Sequence, residues 1–457
     1  MIVLTVLGTI GVFIAPIFGV SVYYFFAVLR PQALWEWALP DGVQWSQYVA
    51  LGTMAGAALH LLGVKRPPDG TRENRRPFGA AHAALLMFGI WLTLSYWRAR
   101  NQEVAWPWYV EYVKMMTMVL VSALLIQTVR HIWILMILTA VALGYVAYEV
   151  NLAYLTTGSL RIVQRGYAGL DNNGAGLMFA MGVPLCVFIY VGTTRWWRWI
   201  FAALVPVLLH ACLMTFSRGA MVALLIASPL IFFRKRYRAQ LGLAAVAVGL
   251  VVPILAGNEI RKEFFSVDAY EEDSSAQSRF ASWAAAFKIA RDYPVVGIGI
   301  RNADLVSYEY GADMPGRAIH NQFLQILADS GFPALGFYLA MIASVGLSLR
   351  RVRRWAIGQD TEEGRRAYAI ACGLESALLV YYVGVLFLSL DGFELPFVLW
   401  LLGAQLSLVL GLNSQKSAAL VAMRPLPTTP FRPTVPRVVA NSGHVAVARA
   451  SPKKRPV

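Results

Sequence analysis

The sequence predicts an all-α polytopic membrane protein: about twelve transmembrane helices, with a long, partly helical outer loop before the tenth span. Three observations predict it. The 457 residues are 58% hydrophobic and only 14% charged, with a mean hydropathy of +0.56, far outside the range of a soluble domain. Apolar runs long enough to cross a bilayer, roughly 17–25 residues each, recur almost end to end. Basic clusters follow alternate runs, the pattern of cytoplasmic loops.

In chain order, spans are expected near residues 2–29, 47–63, 78–97, 111–129, 131–149, 175–193, 197–215, 219–233, 240–256, 321–349, 369–389 and 396–412. The first lacks a basic leader and a small-residue cleavage site, so it stays as a helix, kinked or split at Pro16. Lys65 to Arg76, Arg130, Arg195 with Arg198, Arg234 to Arg238, and Arg350 to Arg366 mark the cytoplasmic loops. Both termini are then cytoplasmic, and residues 150–174, the break Ser217 to Gly219, the loop 257–320 and residues 390–395 lie outside. The organisation is an N-terminal bundle (1–256), an outer loop (257–320), C-terminal helices (321–412) and a basic tail (413–457).

The net charge of +15 does not require a nucleic-acid partner. The tail carries eight basic residues, no acidic ones and seven prolines, the composition of a disordered cytoplasmic segment. Without it 32 basic residues face 25 acidic ones, which the cytoplasmic loops absorb. Cys186, Cys212 and Cys372 lie inside apolar runs at no metal-ligand spacing and are read as packing residues, with no metal site. The sequence has no P-loop, GxSxG, HExxH or dinucleotide fingerprint, so nucleotide-driven transport, serine hydrolysis and zinc proteolysis lack support, and no cofactor is implied.

The outer loop reverses the charge bias, with seven basic against ten acidic residues. Within it SSAQSRFASWAAAFKIARDYP reads as an amphipathic helix with Phe280, Trp283 and Phe287 on one face, ending at Tyr293-Pro294 before a tight turn at Gly297-Ile298-Gly299. Charge held at a membrane boundary is costly unless paired or used, which singles out Arg218 in LMTFSRGAMVALL. It either snorkels to a headgroup or is a fixed cation for an anionic, membrane-embedded substrate. Arg161, Arg165, Arg279, Arg291, Arg301 and Arg317 also fall outside, and two or three guanidiniums on one spot make a pyrophosphate site. His320 is the only one of six histidines expected at the outer surface of the bundle, where it can act as a general base or cap a helix; Asn321 is the better cap. The polar turn Gly169 to Gly174, with Asp171 and Asn173, either caps the next span or binds sugar hydroxyls.

TFSRGA at an outer boundary, then SRFASWAAAFKIARDYPVVGIGI, then IHNQFLQILADSGFPALGFY resembles the O-antigen ligase and polymerase superfamily over about 120 residues, Thr215 to Tyr338. AVLRPQALWEWALP and GLDNNGAG look like the exosortase A-associated O-glycosylation ligases in particular; Asp329 stands where the family more often has Glu. The resemblance implies a glycosyltransferase at the periplasmic face of a bacterial inner membrane, working on a polyprenyl-pyrophosphate-linked glycan and a lipid, glycan or protein acceptor. It implies that Arg218 and Arg279 bind pyrophosphate and that His320 is catalytic; Asn321, Arg165, Asp171, Asn173, Arg301 and Arg317 are further candidate substrate contacts from the reading of the residues themselves. A glycan polymerase shares the donor and differs in the acceptor. A transporter or flippase needs charges within several spans and an internal repeat, and the sequence has no such repeat.

Overall fold

The computed structural model describes residues 2–40, 42–62, 77–237, 239, 241, 242 and 269–412. The expected span at 240–256, the basic cluster Lys65 to Arg76, the start of the outer loop and the tail from residue 413 lie outside the described residues. Among them the regular elements are helical, and the only extended pairing is an isolated bridge between Tyr167 and Leu170.

The helices are α1 (Ile2–Ile14), α2 (Ile17–Leu29), α3 (Pro31–Leu34), α4 (Trp45–Leu61), α5 (Ala80–Trp97), α6 (Gln102–Leu125), α7 (Val129–Thr157) and α8 (Arg161–Arg165). They continue with α9 (Asn172–Gly192), α10 (Arg198–Met214), α11 (Arg218–Phe232), α12 (Ala269–Asp292), α13 (Asn302–Val306), α14 (Gln322–Ile357), α15 (Glu362–Gly384) and α16 (Leu395–Val409). Among the described residues, seven stretches are long and apolar enough to cross a membrane, the first being Ile17–Leu34, and α1, α10, α11 and α16 are shorter apolar helices. This is an all-α, multi-pass architecture.

α9 is apolar all round and lies at the centre, with Leu177, Phe179, Met181, Leu185 and Phe188 fully buried against its neighbours α7, α10, α11 and α15. The three cysteines are free and buried, as their setting predicts. Glu375 of α15 pairs with Arg234 at 2.9 Å and Arg353 at 3.1 Å, tying the end of α11 to α14.

Two expectations change. The single span over 2–29 is a hairpin broken at Ala15-Pro16: a Cβ on Gly8 would lie 2.9 Å from Val22, and one on Gly11 would lie 3.2 Å from Phe18. Contacts that close in from both sides of residue 15 make α1 and α2 antiparallel, so Ile2 lies at the Leu29 end and a cytoplasmic N-terminus no longer follows from counting spans. Proline breaks the helix because it lacks the amide donor and its ring clashes with the preceding turn.

The expected straight span from 321 also breaks, at Gly331 (φ 82°), one residue after a fully buried turn. The segment 294–299 runs alongside the break: Ile298 N donates to Ala328 O at 3.1 Å, Gly299 N to Asp329 O at 2.8 Å, and Phe332 N to Pro294 O at 2.9 Å. Gly297 (φ 68°) lies so close that a Cβ would sit 2.2 Å from the Asp329 backbone carbon. The outer-loop helix α12 is present as expected. Its buried stripe is Ser282, Ala285, Ala286, Ile289 and Ala290, while Phe280 and Phe287 stay exposed and Trp283 is half-buried. Small residues let α12 approach the 298–319 segment closely, with Trp283 packed at the edge of the contact.

Candidate functional site

His320 precedes a helix whose start is fixed from several directions. Asn321 caps α14, its side-chain oxygen accepting from Phe323 N at 3.0 Å and Leu324 N at 3.1 Å. Its own amide donates to Ser389 Oγ at 3.2 Å. Gln322 donates from its backbone to Val385 O at 2.9 Å and from Nε2 to Asp391 Oδ1 at 2.9 Å, while its Oε1 accepts from Leu390 N at 2.5 Å. On the other side Ile319 is fully buried against α12 and α13. His320 is held between these anchors, half-buried, in the left-handed region at φ 53°. That conformation is uncommon for a non-glycine residue, and it persists only where the surroundings over-determine it.

Arg218 is the first residue of α11, half-buried. The helix starts there because Ser217 Oγ accepts from Ala220 N at 3.3 Å, after a turn in which Phe216 takes φ 53°. Arg279 is half-buried on α12, one turn before Trp283. The two helices meet the 385–391 segment at one residue: the Trp283 ring lies 6.5 Å from that of Phe387, and a Cβ on Gly219 would lie 4.0 Å from Phe387 Cβ. The anchor after His320 rests on the same segment. The elements that carry the three expected catalytic residues, far apart in sequence, thus meet at one short turn.

The turn before α9 closes a further side. Asp171 caps the helix, accepting from Gly174 N at 2.7 Å, and Asn172 Nδ2 donates to Thr215 O at 3.0 Å, beside the break that precedes Arg218. Asn173 turns back on Asp171 and Asn172. Arg165 is exposed at the end of α8.

Arg301 and Arg317 are both paired with carboxylates. Arg317 grips Asp313 in a two-pronged pair, Nε to Oδ1 at 2.7 Å, which holds the Asp313 carboxyl down at about 2. Arg301 pairs with Asp304 at 2.9 Å and with Asp391 at 2.8 Å, and its guanidinium lies 4.7 Å over the Trp108 ring. Burial works against its charge, but Asp391, Asp304 and Asp329 outweigh burial and raise its pKa. Its amide donates to Asp329 Oδ2 at 2.8 Å, and Ala303 N donates to Asp329 Oδ1 at 2.9 Å. Asp329 thus organises the α13 turn through hydrogen bonds. Phe387, Ser389, Asp391 and Gln322 escape the sequence reading. The signal available for Asp391 was a pair of acidic residues, Asp391 and Glu394, in the short segment 390–395 with no basic neighbour in sequence.

Burial lowers the His320 pKa, Arg279 lowers it further, and Asp171 opposes them; smaller contributions from Arg317 and Arg301 also lower it. A neutral imidazole beside a guanidinium can accept a proton at neutral pH while the cation stabilises a nearby anion. Residues 207–339 match the profile of the O-Antigen ligase family, a region that contains Arg218, Arg279 and His320. The match covers under a third of the chain and leaves out the 166–174 and 385–391 turns. No curated protein matches the chain.

Proposed function

We propose that the chain is a membrane glycosyltransferase of the O-antigen ligase type, transferring a glycan from a polyprenyl-pyrophosphate donor to an acceptor hydroxyl at the periplasmic face of the inner membrane. The observation that carries this reading is the arrangement of His320 and the elements bearing Arg218 and Arg279 around the 385–391 turn. The acceptor oxygen attacks the anomeric carbon and His320 takes its proton. The bond from that carbon to the phosphate oxygen breaks, and the electron pair leaves with the polyprenyl pyrophosphate. Arg218 and Arg279 stabilise the growing charge, and this single displacement inverts the anomeric centre. The donor brings its own leaving group, so the reaction needs neither nucleotide nor metal. Asp171, Asn173, Asn321 and Arg165 are proposed contacts for the sugar or phosphate. Arg301 and Arg317, already paired with carboxylates, are assigned to holding the loop. In this reading about twelve spans cross the membrane, and the C-terminus is cytoplasmic.

The test is transfer in membranes supplied with lipid-linked donor, with mass spectrometry identifying whether glycan reaches a lipid core, a protein or another glycan; the last outcome makes the enzyme a polymerase. Arg218→Ala, Arg279→Ala and His320→Ala are each expected to lower transfer on the order of 10²-fold or more. Full activity in all three overturns the mechanism. Loss on EDTA treatment that a divalent ion restores overturns its metal independence.

A further inference from the structure

A cavity of about 700 Å³ opens between α2, α4 and α6, away from the arginines of the proposed donor site. Two turns separate it from His320. Gly169 and Leu170 line it while the next residue, Asp171, faces His320 electrostatically; Asp391 and Gly392 line it while Ser389 and Asp391 hold Asn321 and Gln322. The cavity and the histidine therefore lie on opposite sides of a wall one turn thick.

The charges on its lining are matched within the protein. Lys114 pairs with Glu111 at 2.5 Å, and Asp391 pairs with Arg301 while accepting from Tyr112 and Gln322. Arg30 donates to two backbone carbonyls, Ala168 O at 2.7 Å and Gly392 O at 3.1 Å, and Tyr23 donates to Glu394. A pyrophosphate entering here meets carboxylates and cations already engaged, so its desolvation goes uncompensated. Neutral hydroxyls fare better: Gln32, Gln44, Ser46 and Gln47 line the same wall as Trp108, offering amide and hydroxyl partners beside an aromatic ring. Farther along α2, α4 and α6 the lining becomes apolar, with Phe26, Ala50, Leu51, Met54 and Met118. Leu51 is 61% exposed, so the apolar end opens outward between helices.

We propose that this cavity is the acceptor site, and that it takes a neutral polyhydroxylated head carried on an apolar body, a glycolipid in chemical class, while excluding the pyrophosphate donor. The assignment rests on the transfer reading above. The 166–171 and 389–394 turns then separate a neutral acceptor chamber from an arginine-flanked donor site, with His320 at the boundary where the acceptor oxygen loses its proton.

The test uses the full chain in lipid nanodiscs with two photoactivatable probes of equal chain length, a neutral alkyl glucoside and an alkyl pyrophosphate. The glucoside is expected to label peptides from residues 44–54 and 108–118, and the pyrophosphate to label peptides containing Arg218 or Arg279. Ala50→Trp, which fills the cavity from α4, should reduce glucoside labelling at least tenfold, leave pyrophosphate labelling unchanged and lower glycan transfer at least tenfold. Leu51→Trp, at an exposed position, is the second filling variant should Ala50→Trp fail to fold. Pyrophosphate labelling of the cavity, or glucoside labelling that survives both fillings, overturns the proposal. Labelling does not depend on turnover, so an activity that persists in His320→Ala defeats the transfer reading while the cavity assignment is still read directly.

Discussion

At the scale of single residues, His320 combines a left-handed backbone with partial burial, and that burial lowers its pKa. The sign of its pH dependence follows. A base must be neutral, and burial and Arg279 push its pKa below the ordinary value of about 6.5, so transfer should stay flat through neutrality and fall with an acid limb centred below that value. Removing the Arg279 charge raises the His320 pKa, so the residual activity of Arg279→Ala should show that limb displaced to higher pH. A limb that stays in place uncouples the two residues. Arg301 belongs to a different class. Its side chain is 16% exposed and that of Asp391 only 3%, so Arg301→Ala strands buried carboxylates. Breaking such a pair costs about 3–5 kcal/mol, to be seen as a lower unfolding temperature in detergent for Arg301→Ala than for Arg279→Ala.

At the scale of elements, the break in α14 decides where the histidine sits. Without it the helix would run straight from Asn321; with it the 294–299 segment lies against the broken turn and carries the Asp329-bound α13 beside the site. Gly297 permits this approach, because any side chain meets the Asp329 backbone and the positive φ strains a residue with a Cβ. Gly297→Ala is expected to lose at least about 1–3 kcal/mol and to lower the yield of folded protein. The control is Gly336→Ala, farther along the same helix, where a Cβ meets nothing within 4 Å. It should be neutral or stabilising by about 0.5–1 kcal/mol. Equal behaviour of the two variants in thermal unfolding would remove the Gly297 contact from the argument.

At the scale of the whole molecule, the N-terminal hairpin changes sidedness. Val3 is 68% exposed and Trp37 83% exposed, and antiparallel packing of α1 on α2 places both toward the same end. Single cysteines at these positions should react with an impermeant thiol reagent from the same side, against the low background of three buried native cysteines. Labelling from opposite sides restores a single crossing. A tag after Val457 should be reached from the cytoplasm.

What the sequence by itself determined is the class of fold, and it singled out three residues as candidates for the proposed chemistry. Apolar run length and loop charge are local quantities read against a bilayer, so α5, α9, α10, α11, α15 and α16 fall within a few residues of their expected places. Arg218, Arg279 and His320 stand out because charge and imidazole are rare at such a boundary. Even the caps at Asp171, Ser217 and Asn321 are local, each side chain bonding an amide two or three residues on. What only the tertiary structure decided is which arginines are engaged and where distant turns meet. Arg301 and Arg279 are equivalent in one dimension, but Asp391, ninety residues on from Arg301, engages one of them, and Phe387 packs between Gly219 and Trp283 on the helix that bears the other. Such pairings depend on packing between residues far apart in sequence, and no local pattern of charge or hydrophobicity encodes them.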